Sequence, residues 1–178
     1  MRKTETFHIV LELIAILSNI VIGVTVLTFI IQDVAASKLY IGAIVLAVGA
    51  TQMIQFLSLK DLARRRNIVS ALVAGSSMAF GLTLMFLPVD IKLTCILWGA
   101  FSIAFQVGKI FNSAFTLLRQ PFHNGIMIIL CIIEIIFDIF LIVKAPSFVY
   151  AHLIFIGVSL LIEAFVLVVE FTIHRYQK

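Results

Sequence analysis

The chain has 178 residues, of which 62% are hydrophobic and 12% are charged, against about 45–50% and about 25% in an ordinary soluble domain. This composition excludes a soluble globular protein and leaves no stretch for a soluble catalytic domain. The formal charge of +4 does not indicate nucleic-acid binding, because nine of the thirteen Lys and Arg residues lie in short connections and the two tails. We therefore predict no nucleic-acid partner.

Six apolar segments follow one another along the chain, each near the length of about 20 residues that a membrane-spanning helix needs. They cover about 7–31, 39–58, 68–87, 93–117, 126–143 and 148–173. The first segment is too long for the core of a signal peptide and contains Glu12, so we expect it to be retained as a helix. The sequence predicts an all-α membrane protein, with residues 1–178 forming a single six-helix transmembrane domain in a lipid bilayer.

The positive charges are distributed unequally between the two sides of these segments. The tails and the connections after the second and fourth segments carry nine cations, whereas the opposite side carries only Lys38, Lys92 and Lys144. Because cytoplasmic segments carry the excess of Lys and Arg, both termini are predicted to be cytoplasmic.

A self-comparison of the chain indicates an internal repeat at a spacing of 57 or 58 residues. On the even-numbered helices, the residues in register are Gly42, Gly99 and Gly157. On the odd-numbered helices they are Gly23, Gly81 and Asp138, and in two loops they are Pro88 and Pro146. We predict three repeated helical hairpins, about 7–58, 68–117 and 126–173, in a parallel pseudo-threefold arrangement about an axis along the membrane normal.

Polar residues within the segments fall into two predicted layers. The first, four residues before the odd-helix positions, consists of Asn19, Ser77 and Glu134. The second, thirteen residues after the even-helix glycines, consists of Gln55, Asn112 and Glu170. Such residues face the bundle interior, where they either fix helix packing by hydrogen bonds or line a polar pathway on the axis. Both interpretations remain open.

Four ionisable residues form the predicted proton site. Counted along the helices, Lys109, Glu134 and Glu163 lie near one level, so Lys109 is predicted to pair with Glu134 first and Glu163 second. Snorkelling of the amine toward the cytoplasm is the alternative. Glu134 and Asp138 lie four residues apart on one helix face, where two carboxylates in a low dielectric favour sharing a proton.

No motif for a nucleotide, a hydrolytic nucleophile or a catalytic metal is present, so we predict no enzyme activity, no cofactor and no metal. Two cysteines within apolar runs, Cys95 and Cys131, are predicted to be small core residues. The four histidines are expected near helix ends or in connections, in solvated positions: His8, His123, His152 and His174.

Four segments resemble the HdeD-type family of small bacterial acid-resistance membrane proteins. They are FGLTLMFLP from Phe80, ILWGAFSIAFQVGK from Ile96, IVIGVTVLTF from Ile20 and IFIGVSLLIE from Ile154. The resemblance implies a six-helix chain built from a two-helix repeat, located in the bacterial plasma (inner) membrane and associated with acid stress, with no catalytic residues. Asp138 departs from the pattern, because it stands where the other repeats have glycine.

Two functional hypotheses follow. The first is a non-enzymatic protein of the acid or envelope stress response, acting through the membrane, a membrane-protein partner or a homo-oligomer. The alternative is a small proton- or cation-conducting carrier or channel that uses Glu134, Asp138, Glu163 and Lys109. The excess of acids over bases within the spans favours the alternative, whereas the lack of a mid-span Gly/Pro break disfavours it.

Overall fold

The computed structural model describes residues 2–31, 38–58, 64–114, 121–145 and 147–176, with the side chains of 2–6, 8, 30–31, 58, 64–70, 112, 121 and 174–176 outside this description. The described residues form six α-helices, which confirms the all-helical prediction. They are α1 (Arg2–Ile31), α2 (Lys38–Ser58), α3 (Arg64–Phe86), α4 (Ile91–Ala114), α5 (Pro121–Val143) and α6 (Val149–Tyr176).

Five of these helices are long and apolar enough to cross a membrane. Their apolar stretches are Ile9–Phe29, Lys38–Leu57, Ile91–Phe111, Phe122–Val143 and Val149–Ile173. The described side chains of α3 begin at Ala71, and from there to Phe86 they form one further, shorter apolar stretch. The sixth span, 68–87, therefore stays a prediction.

The outer surface of the bundle is apolar. Large hydrophobic side chains remain exposed on every helix, and Phe86, Val143 and Leu72 are among the most exposed of them. A soluble monomer rarely shows such extended apolar surface, whereas lipid tails solvate it well. The surface therefore fits a protein embedded in a lipid bilayer.

Short connections make consecutive helices antiparallel. The connection 87–90 and the described residues of the connection between α5 and α6 lie at one end of the bundle, which we call the loop end; α1 begins and α6 ends at the other, the terminal end. The most extensive contacts join α2 to α3, α4 to α5 and α1 to α6. Each odd-numbered helix thus packs mainly against an even-numbered helix outside its own predicted hairpin.

These three helix pairs meet at the residues that the repeat places in register. A Cβ atom on Gly81 would lie 2.8 Å from the Gly42 carbonyl oxygen, so the α2 and α3 backbones touch here. A Cβ on Gly23 would lie 2.9 Å from the Gly157 oxygen, across the α1–α6 contact. In the α4–α5 pair, a Cβ on Gly99 would lie 3.0 Å from the Asp138 oxygen.

Small residues at such crossings let helix backbones approach closely in a membrane, where packing is a major source of association energy. The matched positions therefore act as close-contact points between helices. The hairpin repeat itself stays a prediction, and Pro146, one of the two prolines that support it, lies outside the described residues.

The apolar core lies toward the loop end. It includes fully buried Ile41, Leu84, Leu141 and Leu153, together with the buried Trp98. As predicted from the sequence, Cys95 and Cys131 are buried, and both are free thiols. The next layer toward the terminal end is polar.

Two hydrogen bonds stabilise the connection between α3 and α4 at the loop end. The Asp90 carboxylate accepts a 2.9 Å hydrogen bond from the backbone N–H of Leu93, which caps the first turn of α4. The Lys38 amine, at the start of α2, donates a 2.9 Å hydrogen bond to the Leu87 carbonyl oxygen. The loop is therefore tied both to the helix that follows it and to α2.

Candidate functional site

A polar cavity lies within the bundle, between side chains of α2, α3, α4, α5 and α6. It offers about 60 Å³ to the centres of water-sized molecules. Because one water needs about 10–15 Å³ by this measure, the cavity has room for several. Its polar lining residues are Gln52, Ser77, Ser102, Gln106, Lys109, Glu134, Ser159 and Glu163.

Three of the four predicted proton-site residues line this cavity. Lys109 projects from α4, Glu134 from α5 and Glu163 from α6. The structure thus brings together three ionisable side chains that lie 25 to 54 residues apart along the chain. The fourth, Asp138, is fully buried and is not among the cavity-lining residues.

Lys109 lines the cavity, and its amine lies 5.5 Å from the centre of the Phe105 ring, a cation–π distance. Among the described residues, no carboxylate lies within 4.0 Å of this amine. Glu163 exerts a stronger electrostatic influence on it than Glu134 does. The pairing of Lys109 with a carboxylate stays a prediction, with Glu163 as its stronger electrostatic neighbour.

The two cavity carboxylates have different surroundings. Glu163 accepts a 3.0 Å hydrogen bond from the Gln55 amide, which reaches it from α2. Glu134 interacts with the Gln106 amide of α4. An amide donor stabilises a carboxylate without neutralising its charge.

Two amide oxygens in the cavity lining indicate that it holds water. The Oε1 atoms of Gln52 and Gln106 are buried, and neither has a hydrogen-bond partner within the described part of the chain. Buried polar atoms normally have a partner, and ordered water supplies one wherever a polar cavity has room for it. The cavity therefore has both the room and the polar atoms to hold water.

Two of the three residues in the first predicted polar layer line the cavity. Ser77 and Glu134 both line the cavity, and the Ser77 hydroxyl lies 3.3 Å from the Val45 carbonyl oxygen, to which it donates. Asn19 is 1% exposed and is not in the cavity lining, and its Nδ2 atom has no partner among the described residues. Asn19 therefore lies at a packing position of α1, outside the site.

The residues of the second predicted layer have separate partners. Gln55 bonds to Glu163 as described, whereas Glu170 lies 3.1 Å from His123 Nδ1, joining the terminal ends of α5 and α6. The side chain of Asn112 lies outside the described residues. Gln55 and Glu170 thus each contact a described side chain on another helix.

A histidine that the sequence analysis placed in a solvated position is buried. His152 lies in the first turn of α6 but is 0% exposed, and its Nε2 atom is 3.4 Å from Oδ1 of Asp138, which is also 0% exposed. The Trp98 ring packs edge-on against the imidazole, with centroids 4.6 Å apart. The expectation of a solvated His152 is wrong, because α4 and α5 cover the first turn of α6.

No protein-family model, curated protein or solved structure matches this chain. The HdeD-type resemblance therefore stays a prediction. The fold and the site define the class of the protein: a multi-pass helical membrane protein with a polar, ionisable cavity inside its helix bundle.

Proposed function

We propose that this protein is a small proton- or cation-conducting carrier or channel, and that the polar cavity is its conducting site. The observation that carries the proposal is that Lys109, Glu134 and Glu163 line one cavity within the bundle. Ionisable groups at membrane depth are costly, and they commonly mark ion or proton pathways.

The size and charge of the cavity favour protons among the ions. Room for several waters is enough for a hydrogen-bonded chain that carries a proton, and too little for a large organic solute. Two carboxylates face one amine, so the cavity changes from net negative to net positive as both acids take up protons. A change of that kind makes the site responsive to the proton gradient.

Proton flux into liposomes that contain the purified protein tests the proposal. Under an imposed pH gradient, the wild type should acidify the lumen faster than protein-free liposomes, and Glu134→Gln should remove most of the difference. Glu12→Gln is the matched control, since it removes a carboxylate from α1, which contributes no described residue to the cavity. Absence of flux with the wild type would rule out a conducting role.

We infer that the cellular role is in the acid or envelope stress response, as a non-enzymatic, HdeD-like protein of the bacterial plasma (inner) membrane with both termini in the cytoplasm. The sequence resemblance and the distribution of cations support this inference. A proton-handling cavity is consistent with it, since acid stress is a proton load.

Acid survival of cells that express the wild type or Glu134→Gln separates the two hypotheses. Loss of protection together with loss of flux supports a conducting role in acid stress. Protection that persists in a variant without flux favours the stress-response hypothesis without conduction, in which a membrane-protein partner or a second copy of the chain would act.

We further propose that the three hairpins are arranged with pseudo-threefold symmetry. The matched residues of the repeat meet in all three of the most extensive helix contacts, and α6 packs against α1 as α2 packs against α3. A ring that closes in this way is what three equivalent hairpins around one axis would form.

A further inference from the structure

The pair formed by Asp138 and His152 is a second ionisable site, separate from the cavity. Both side chains are 0% exposed, and neither lines the cavity. Both carboxylate oxygens of Asp138 and both ring nitrogens of His152 lack a well-formed hydrogen bond within the described part of the chain. Four buried polar atoms in this condition are unusual, since such groups normally have partners.

The pair lies near the loop end of the bundle. At a rise of about 1.5 Å per residue, His152 is about 5 Å from the start of α6, and Asp138 is about 8 Å from the end of α5. Glu134 lies one turn further along α5, in the direction of the terminal end, and interacts electrostatically with Asp138. The pair therefore lies between the loop end and the cavity.

Few other titratable groups face the pair. From α4, the Ser102 hydroxyl and the Trp98 ring approach it, and Cys95 is the buried titratable residue in this half of that helix. The stretch 17–29 of α1, which packs against α6, contains no titratable side chain. In the loop-end halves of α5 and α6 and in the described part of the connection between them, the remaining titratable groups are Glu134, the exposed Lys144 and the partly exposed Tyr150.

Burial makes one protonation state of the pair much more favourable than the others. With a single proton between Oδ1 and Nε2 the pair has no net charge, whether as acid and imidazole or as carboxylate and imidazolium. Adding or removing a proton leaves a net charge in a site without solvent, which is costly. At rest the pair therefore holds one proton, and a transfer through it passes by way of a short-lived charged state.

We propose that Asp138 and His152 form the loop-end proton site of the protein, delivering protons to Glu134 and from there to the cavity. This inference rests on the proposed function. In the transfer from His152, the Nε2–H bond breaks and an Oδ1–H bond forms on Asp138, leaving a neutral imidazole and a neutral acid. Asp138 then releases the proton toward Glu134, whose carboxylate accepts it, and His152 is protonated again from the loop end.

The repeat register supports a specific role for this pair. The positions that correspond to Asp138 hold Gly23 and Gly81 in the first two hairpins. The positions that correspond to His152 hold Ser37 and Thr94. The acid and the base thus occur together, in the third hairpin alone, which is what a two-residue proton site requires and what packing alone does not.

The alignment of the repeats suggests a variant that should fold but lack the Asp138–His152 proton site. Asp138→Gly combined with His152→Thr installs the residues that the second hairpin has at these positions. We expect its proton flux in liposomes to fall by roughly 10²-fold or more, as expected when a positioned proton-transfer group is lost. The control is Asp90→Asn, which removes a carboxylate at the loop end and keeps a good helix cap. It should leave the flux unchanged.

A second measurement does not depend on conduction. In protein labelled with ¹⁵N-histidine, the ring signals of His152 should report a changed protonation state in Asp138→Asn, whereas those of His123 should not change. Wild-type flux in the double variant would overturn the relay while leaving the conducting role of the cavity intact. A His152 signal that is insensitive to Asp138→Asn would show that the two residues do not share a proton.

Discussion

Gly81→Ala should destabilise the protein by forcing α2 and α3 apart. A Cβ atom at this position would lie 2.5 Å from the Leu46 backbone nitrogen and 2.8 Å from the Gly42 carbonyl oxygen. Ordinary contacts begin near 3.4 Å, and backbone atoms cannot rotate out of the way. The two helices must therefore separate by about 1 Å, and overpacking of this kind costs about 1–3 kcal/mol.

The same helix provides the control. A Cβ on Gly75 would meet only the Met53 Cε atom, at 4.0 Å, so Gly75→Ala introduces no clash. It should stabilise α3 by about 0.5–1 kcal/mol, because alanine loses less backbone entropy than glycine in a helix. The two alanine variants should therefore differ by about 1.5–4 kcal/mol in unfolding free energy.

Thermal unfolding in detergent measures this difference. At about 2–4 °C per kcal/mol for a chain of this size, the two midpoints should be separated by several degrees, with the wild type between them. Equal midpoints for Gly81→Ala and Gly75→Ala would refute the close backbone contact between α2 and α3, and would remove one of the three contacts that support the pseudo-threefold proposal.

Three further predictions concern topology and the cavity. A cysteine at Ser147 should be labelled from outside the cell, and a cysteine at Arg65 only after permeabilisation; labelling of Arg65→Cys in intact cells would reverse the proposed orientation. Gln55→Leu should cost about 1–3 kcal/mol in detergent melts, since it removes a donor from Glu163, and an unchanged melting temperature would show that this hydrogen bond contributes nothing. Lys109→Met alone should destabilise more than Lys109→Met combined with Glu163→Leu, because an apolar pair often replaces opposed buried charges without loss; additive damage would show that the two residues do not interact.

Segment length and composition were sufficient to predict the helices. Each apolar run long enough to span a membrane is helical in the structure, because lipid leaves the backbone of a spanning segment no other hydrogen-bond partners. The glycine positions were also informative, because only small residues allow such close crossings.

The ionisable site was predicted less completely. Counting residues along each helix gives depth but not rotation, so it could group Lys109 with Glu134 and Glu163 but could not show that Asp138 turns away from their cavity. The environment of His152 was predicted wrongly for the same reason. Its position in the first turn of α6 indicated solvent, whereas burial depends on the neighbouring helices that cover that turn.

The hydrogen-bond partners of the polar side chains also depend on tertiary contacts. Gln55 was placed in a layer with Glu170, and its amide donates to Glu163, which lies about two turns from Glu170 on the same helix. The partner of Glu170 is His123 at the start of α5. The register of the repeat aligns positions in the sequence. It does not specify which partners the long side chains contact across the bundle interior.

Lumenal pH in liposomes is the decisive measurement for a conducting cavity. The vesicles would contain an entrapped pH-sensitive dye, and the membrane potential would be held at zero so that only the proton gradient drives flux. We expect rapid acidification with the wild type and with Glu12→Gln, and acidification close to that of empty vesicles with Glu134→Gln and with Glu163→Gln. Wild-type vesicles that acidify no faster than empty ones, or cavity variants as fast as the wild type, would contradict the assignment of the cavity as a proton pathway.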